Sequence, residues 1–263
     1  MLKIVLIFFY CINILALQSC SFFRSKPPRD FFPIGTDFNS SDNYRYLLSE
    51  RGTDLLKTYE SQIINPDQIT QIYLKNISKK IVVNNELIFK RTDAEKLNFI
   101  IFKSSHPFYF SYPPGNIVIS TELINRYIDH EGFLLSLISG ELLRLEHSIY
   151  VKQKNIPVGF ISLEKFISML RIPIQERMKL HRWSYYLLYR TDYGPEHYLS
   201  FLQLQNRNHL DFSFQFPETS QLYREEANLK QFIVNNYSQS NLNPLKFRSD
   251  QDFYLFTSKY KNK

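Results

Sequence analysis

The sequence predicts an α+β domain, mainly helical, with a small β-sheet set beside the helices. Three observations predict it. Apolar residues recur at helical spacing over Glu131–His147 and again from Ile174 to about Arg190. Short runs rich in β-branched and aromatic residues, Leu97–Phe102, Pro107–Phe110 and Asn116–Ser120, read as strands. The last of these passes directly into a helical stretch at Ser120 and Thr121, so strand and helix share a junction.

Taken in order, the chain opens on Lys3 and an apolar run, Ile4–Leu17, that ends in Leu17-Gln18-Ser19-Cys20, the pattern of an export signal. The run is short for a membrane span. Leu, a small residue and then Cys resembles a bacterial lipobox, which implies residues 1–19 as leader and a lipid on Cys20; the other reading is an ordinary cut near Ser19. Ser21, rather than Asp, resembles the sorting pattern for an outer membrane facing the periplasm. Cys11 leaves with the leader, so Cys20 is the one cysteine of the mature chain and an intrachain disulfide is excluded. About 240 remaining residues bury a sizeable core without one. The formal net charge of +7 falls to +6 when Lys3 leaves, a mild positive balance suited to anionic headgroups or acidic wall polymers. No nucleic-acid motif is present.

Residues 20–41 read as a tether, with Lys26-Pro27-Pro28-Arg29 and Pro33-Ile34-Gly35; Phe22, Phe23, Phe31 and Phe32 suit either the bilayer or the domain surface. Residues 42–263 form a single domain. Asn43–Gln62 predicts a helix, and after Asn65-Pro66-Asp67 a second runs from Gln68 to about Lys80 with Ile69, Ile72, Leu74 and Ile77 inward. Leu97–Phe102 predicts a central strand and Pro107–Phe110 its neighbour, the proline marking its start. Thr121 is placed to cap the helix after Ser120. Beyond a loop at 155–159, helices follow over Ser162–Leu170, Ile174–Arg190, Pro195–Asn206 and Ser220–Asn235, with Tyr185, Tyr186, Leu188 and Tyr189 as packing residues. Glu225 and Glu226 read as a solvated face, Ser238–Pro244 as a looser stretch, and Phe253–Phe256 as a last strand.

Glu141 is the conspicuous residue. It falls within the apolar stripe of Phe133, Leu134, Leu137, Ile138, Leu142 and Leu145, where an unpaired carboxylate is costly to bury. Arg144, three residues on, is adjacent on the helix and able to pair with it; the alternative is that Glu141 reaches water at a cleft edge.

The stretch Tyr112-Pro113-Pro114-Gly115-Asn116-Ile117-Val118-Ile119-Ser120-Thr121-Glu122-Leu123-Ile124 resembles the lead-in of zinc metallopeptidases of the HtpX and CAAX-prenyl-protease type. Lys179-Leu180-His181-Arg182, Asp192-Tyr193-Gly194-Pro195 and Tyr198-Leu199 with Phe201-Leu202 resemble that family's downstream EADR, GYDP and FL patterns. The match runs from roughly Asp67 to Asn235. It implies a gluzincin-like domain in which HExxH falls on Gly140-Glu141-Leu142-Leu143-Arg144, the third zinc ligand on Lys179 and the following aspartate on His181. Only the general-base glutamate position, Glu141, keeps its residue type. Zinc needs two imidazoles at i and i+4 on one helical face with a glutamate beside the first to activate bound water. Gly140 offers no donor and Arg144 carries a fixed positive charge.

No other arrangement of histidines replaces that pair. His147 lies about 120° around the helix from Glu141, and His130-Glu131 comes too early, with Leu134 at the matching partner position. There is no GxSxG elbow. The sequence therefore predicts a lipid-anchored envelope protein without cofactor, a degenerate metallopeptidase whose cleft, with Arg144, His181 and Asn116 as candidates, binds an envelope polypeptide as a scaffold or chaperone-like module. The alternative is an active zinc endopeptidase of envelope quality control with an unorthodox ligand set that includes Glu141 or His181.

Overall fold

A computed structural model of the chain describes residues 42–150, 159–191, 193–216, 218–237 and 249–261. The leader, the Cys20 lipidation position, the tether, residues 155–158, Asp192 and Ser238–Pro244 lie outside these.

The described residues are mostly helical with a four-stranded sheet, an α+β arrangement. The helices are α1 (Asp42–Thr58), α2 (Gln68–Val83), α3 (Thr121–Arg126), α4 (Glu131–His147), α5 (Leu163–Met169), α6 (Ile174–Tyr189), α7 (Glu196–Arg207), α8 (Thr219–Asn236) and α9 (Gln251–Tyr260). The strands are β1 (Ile63–Ile64), β2 (Asn98–Phe102), β3 (Tyr109–Tyr112) and β4 (Asn116–Ser120), in the order β1-β2-β4-β3. β2 and β4 run parallel with Ile100 opposite Val118, and β3 returns antiparallel to β4 through the turn at Pro113–Gly115.

Side-chain alternation divides this sheet between two cores. Phe99, Ile101, Ile117 and Ile119 face one, packed with α2, α3, α4, α6 and α9. Ile100, Phe102, Val118, Phe110 and Tyr112 face the other, packed with α1 and α5. Burial on both faces explains why β2 and β4 read as continuous apolar runs rather than alternating ones.

α4 is the centre of the larger core. It touches α2, α6, α7 and β3, and every residue from Glu131 to Glu146 except Phe133 is buried. Its four buried charged side chains, Glu131, Glu141, Arg144 and Glu146, must each be compensated. Glu131 accepts from Tyr73 Oη at 2.7 Å and the Asp250 amide at 2.8 Å, which ties the start of α9 to α4. Glu146 accepts from the amides of Lys90, Arg91 and Thr92 at 2.7–3.1 Å, turning a connecting loop back onto the helix.

Several boundaries differ from expectation for local reasons. The first helix ends at Thr58, and a 3₁₀ turn leads into β1, whose two residues pair with Phe102 and Ile101 and are too few to show periodicity. β3 begins at Tyr109 because the Phe108 amide is taken by Ser120 Oγ at 2.9 Å. That hydroxyl also accepts from the Leu123 amide, so Ser120 caps α3, and Thr121 instead bridges the backbone of Ser104. On α2 the inward stripe is Tyr73, Leu74, Ile77 and Ile81, leaving Ile69 and Ile72 exposed. Tyr189 is likewise exposed at the end of α6. The expected strand at Phe253–Phe256 is helix α9, since Phe253, Phe256 and Tyr260 at i, i+3 and i+7 bury one helical face. Among the described residues no helix is long and apolar enough to cross a membrane.

Candidate functional site

A cavity of about 70 Å³ lies where α4, α6 and α7 meet the edge strand β3 and the end of α5, and its lining includes Gly140, Glu141, Arg144 and His181. Residues that the sequence separates by forty positions are thus brought to one place.

Glu141 and Arg144 form a buried pair. Arg144 Nη1 lies 3.4 Å from both Glu141 carboxylate oxygens, and the two side chains are 9% and 4% exposed for arginine and glutamate respectively. The guanidinium also donates through Nη2 to Leu170 O at 2.5 Å and lies over the Tyr150 ring at 5.7 Å. Helical spacing i, i+3 sets the pair, and the end of α5 fixes the arginine's far side.

A second network stands across the cavity on α6, α7 and α8. Glu225 Oε1 lies 2.6 Å from Arg177 Nη2, and Glu225 Oε2 lies 2.8 Å from His181 Nε2. His181 Nδ1 lies 2.8 Å from Tyr198 Oη. With Nε2–H donating to the Glu225 carboxylate, a neutral imidazole leaves Nδ1 to accept from the Tyr198 hydroxyl. Burial pushes the Tyr198 hydroxyl well above its ordinary range, and it stays a neutral donor. Arg177 also donates to Gln221 Oε1 and lies over the Phe216 ring at 5.5 Å.

The place of Gly140 explains how the two networks fit together. A Cβ added there would meet Ser184 Oγ at 3.6 Å and Tyr198 Oη at 3.7 Å. A Cβ at 140 would thus sit in ordinary van der Waals contact with Tyr198 and Ser184, so residue 140 adjoins the second network.

Lys179 and Asn116 are not at the cavity. α6 turns Arg177, Leu180, His181 and Ser184 inward, which puts Lys179 on the solvent side, 3.2 Å from Glu176 on its own helix. Asn116 sits at the far end of β4, where the parallel register sets it beside Asn98; its Oδ1 accepts from Asn98 Nδ2 at 3.0 Å. Glu225 is 1% exposed rather than solvated. Arg177, Tyr198 and Glu225 are the residues that sequence reasoning missed. A signal existed for Glu225: it falls on the α8 stripe of Leu222, Leu229 and Phe232, as Glu141 does on α4.

The residues present do not fit a tetrahedral zinc. Gly140 has no donor, Arg144 is a cation held against the one carboxylate that lines the cavity, Lys179 points outward, and both nitrogens of His181 are engaged. Among the described residues no group of three or more His, Cys, Asp or Glu side chains is placed to hold a metal ion. What the arrangement can do is bind: it gathers the guanidinium groups of Arg144, Arg171 and Arg177 around one cavity.

No protein-family model and no curated protein matches the chain.

Proposed function

We propose that the chain is a lipid-anchored envelope protein whose metallopeptidase-like domain has lost its zinc chemistry and serves to hold an envelope polypeptide without cutting it. The observation that carries this reading is the Glu141–Arg144 pair. A general-base glutamate has to face a metal-bound water, but Glu141 is paired with Arg144, a residue that stands on the second histidine position of the resemblance. The fixed positive charge of Arg144 takes the electrostatic place of a metal next to that carboxylate. The resemblance of Leu17–Cys20 to a lipobox supports the bacterial envelope, and Ser21 supports an outer membrane facing the periplasm.

The test is the zinc content of the full chain, purified in detergent without chelator or tag histidines and measured by elemental mass spectrometry. Background zinc is expected. Near-equimolar zinc that survives dialysis overturns the reading and restores the zinc endopeptidase. In the same cells the protein is expected in the membrane fraction, and Cys20→Ala should release it; a variant that stays membrane-bound removes the lipid from the proposal.

A further inference from the structure

The arginines of the cavity are not fully used by the chain. Arg144, Arg171 and Arg177 all line it. Each has a buried Nε–H with no hydrogen-bond acceptor among the described residues. Arg144 and Arg177 are only 7% and 9% exposed. A buried N–H on a charged group without an acceptor is expensive, and it marks all three guanidinium groups as incompletely satisfied.

Charge points the same way. Glu141 pairs with Arg144 and Glu225 with Arg177, which leaves the guanidinium of Arg171 in excess. Among the described residues Arg171 makes one long hydrogen bond, Nη2 to Phe214 O at 3.4 Å. Exposed Glu218 acts on it from outside the cavity lining, where water screens the attraction. Burial and the neighbouring Arg177 guanidinium lower the proton affinity of Arg171, as expected of two cations facing one space without an anion between them.

We propose that this cavity binds a small oxyanion, a carboxylate or a phosphate group, between Arg144, Arg171 and Arg177. Guanidinium groups bind both by parallel N–H···O bonds. A cavity of about 70 Å³ admits one such group and little else. The Gln205 and Gln215 amides add neutral donors to the lining. The proposal rests on the reading of this site as a binding site without resident metal.

The experiment is calorimetric titration of the full chain in detergent with inorganic phosphate and, separately, with acetate, both at constant ionic strength. Saturable binding of one or both is expected, and the preferred probe separates tetrahedral from planar recognition. Arg171→Met, which leaves both buried ion pairs in place, should weaken binding by roughly tenfold or more, the usual cost of a charge-assisted hydrogen bond. Exposed Arg224→Met should leave it unchanged. Absence of saturable binding of either probe overturns the proposal, as does equal weakening by the two substitutions, which would mark adsorption to a basic surface. Zinc measured on the same preparation keeps the two readings apart. Metal-free protein that ignores both anions sinks only the oxyanion site; stoichiometric zinc whose removal abolishes anion binding sinks both.

Discussion

At the residue scale, buried charge governs this protein. A buried ion pair is a poor source of net stability, but removing one partner leaves an uncompensated charge and costs about 3–5 kcal/mol. Arg144→Met is therefore expected to lower the unfolding free energy by about that amount, and adding Glu141→Leu should recover most of it. The recovery falls short of complete because Arg144 also holds Leu170 O. Denaturant unfolding of the two single variants and the double variant measures the coupling; strictly additive effects would show that the pair carries no interaction. Glu225 is a more demanding case, since its one carboxylate serves both Arg177 and His181. Sequence patterning identified Glu141 by its intrusion into an apolar stripe, and the same rule applied to α8 reaches Glu225. It failed there because the neighbouring Glu226 suggested a charged solvent face.

At the scale of elements, close approach between helices sets the geometry. Gly132, in the first turn of α4, lies directly beneath the His197 ring of α7, and a Cβ there would overlap that ring. His197 in turn stacks on His130 with ring centroids 4.4 Å apart. His130 Nδ1 accepts from the Gly132 amide at 3.0 Å and caps α4. Gly132→Ala is expected to destabilise the fold by about 1–3 kcal/mol, since the α4–α7 contact must open to admit one methyl group. Thermal unfolding reads the effect, and a variant as stable as the parent would mean that α7 moves freely against α4. Elements of this kind were legible where periodicity was long, as in α4 and α6. They were lost where the element was two residues, as in β1, or where a four-residue aromatic run hid a helical spacing, as in α9.

For the whole molecule, two half-buried histidines link stability to pH. Burial lowers the proton affinity of His147 below its ordinary value of 6.5, and burial together with the neighbouring His130 ring does the same for His197. Below 6.5 the unfolded chain binds protons that the folded chain refuses, so stability is complete above that pH and is lost as pH falls through the depressed folded values. The midpoint of thermal unfolding is expected to be flat from about pH 8 to about 7 and to decline below about 6.5. His197→Asn should make that decline shallower, whatever its effect at neutral pH. An unchanged slope would place the acid sensitivity elsewhere.

The sequence by itself determined the mainly helical content with a small sheet, the junction at Ser120, and the intrusion of Glu141 into an apolar stripe with Arg144 within reach of it, because these depend on residue type and on neighbours within one or two helical turns. Only the tertiary structure decided which charges meet. His181 reaches Tyr198 across 17 positions and Glu225 across 44, while Lys179, two residues from His181, faces solvent. Periodicity identifies the inward face of each helix, but which inward faces oppose one another is set by how all of them pack around α4. The candidate site is made from that packing.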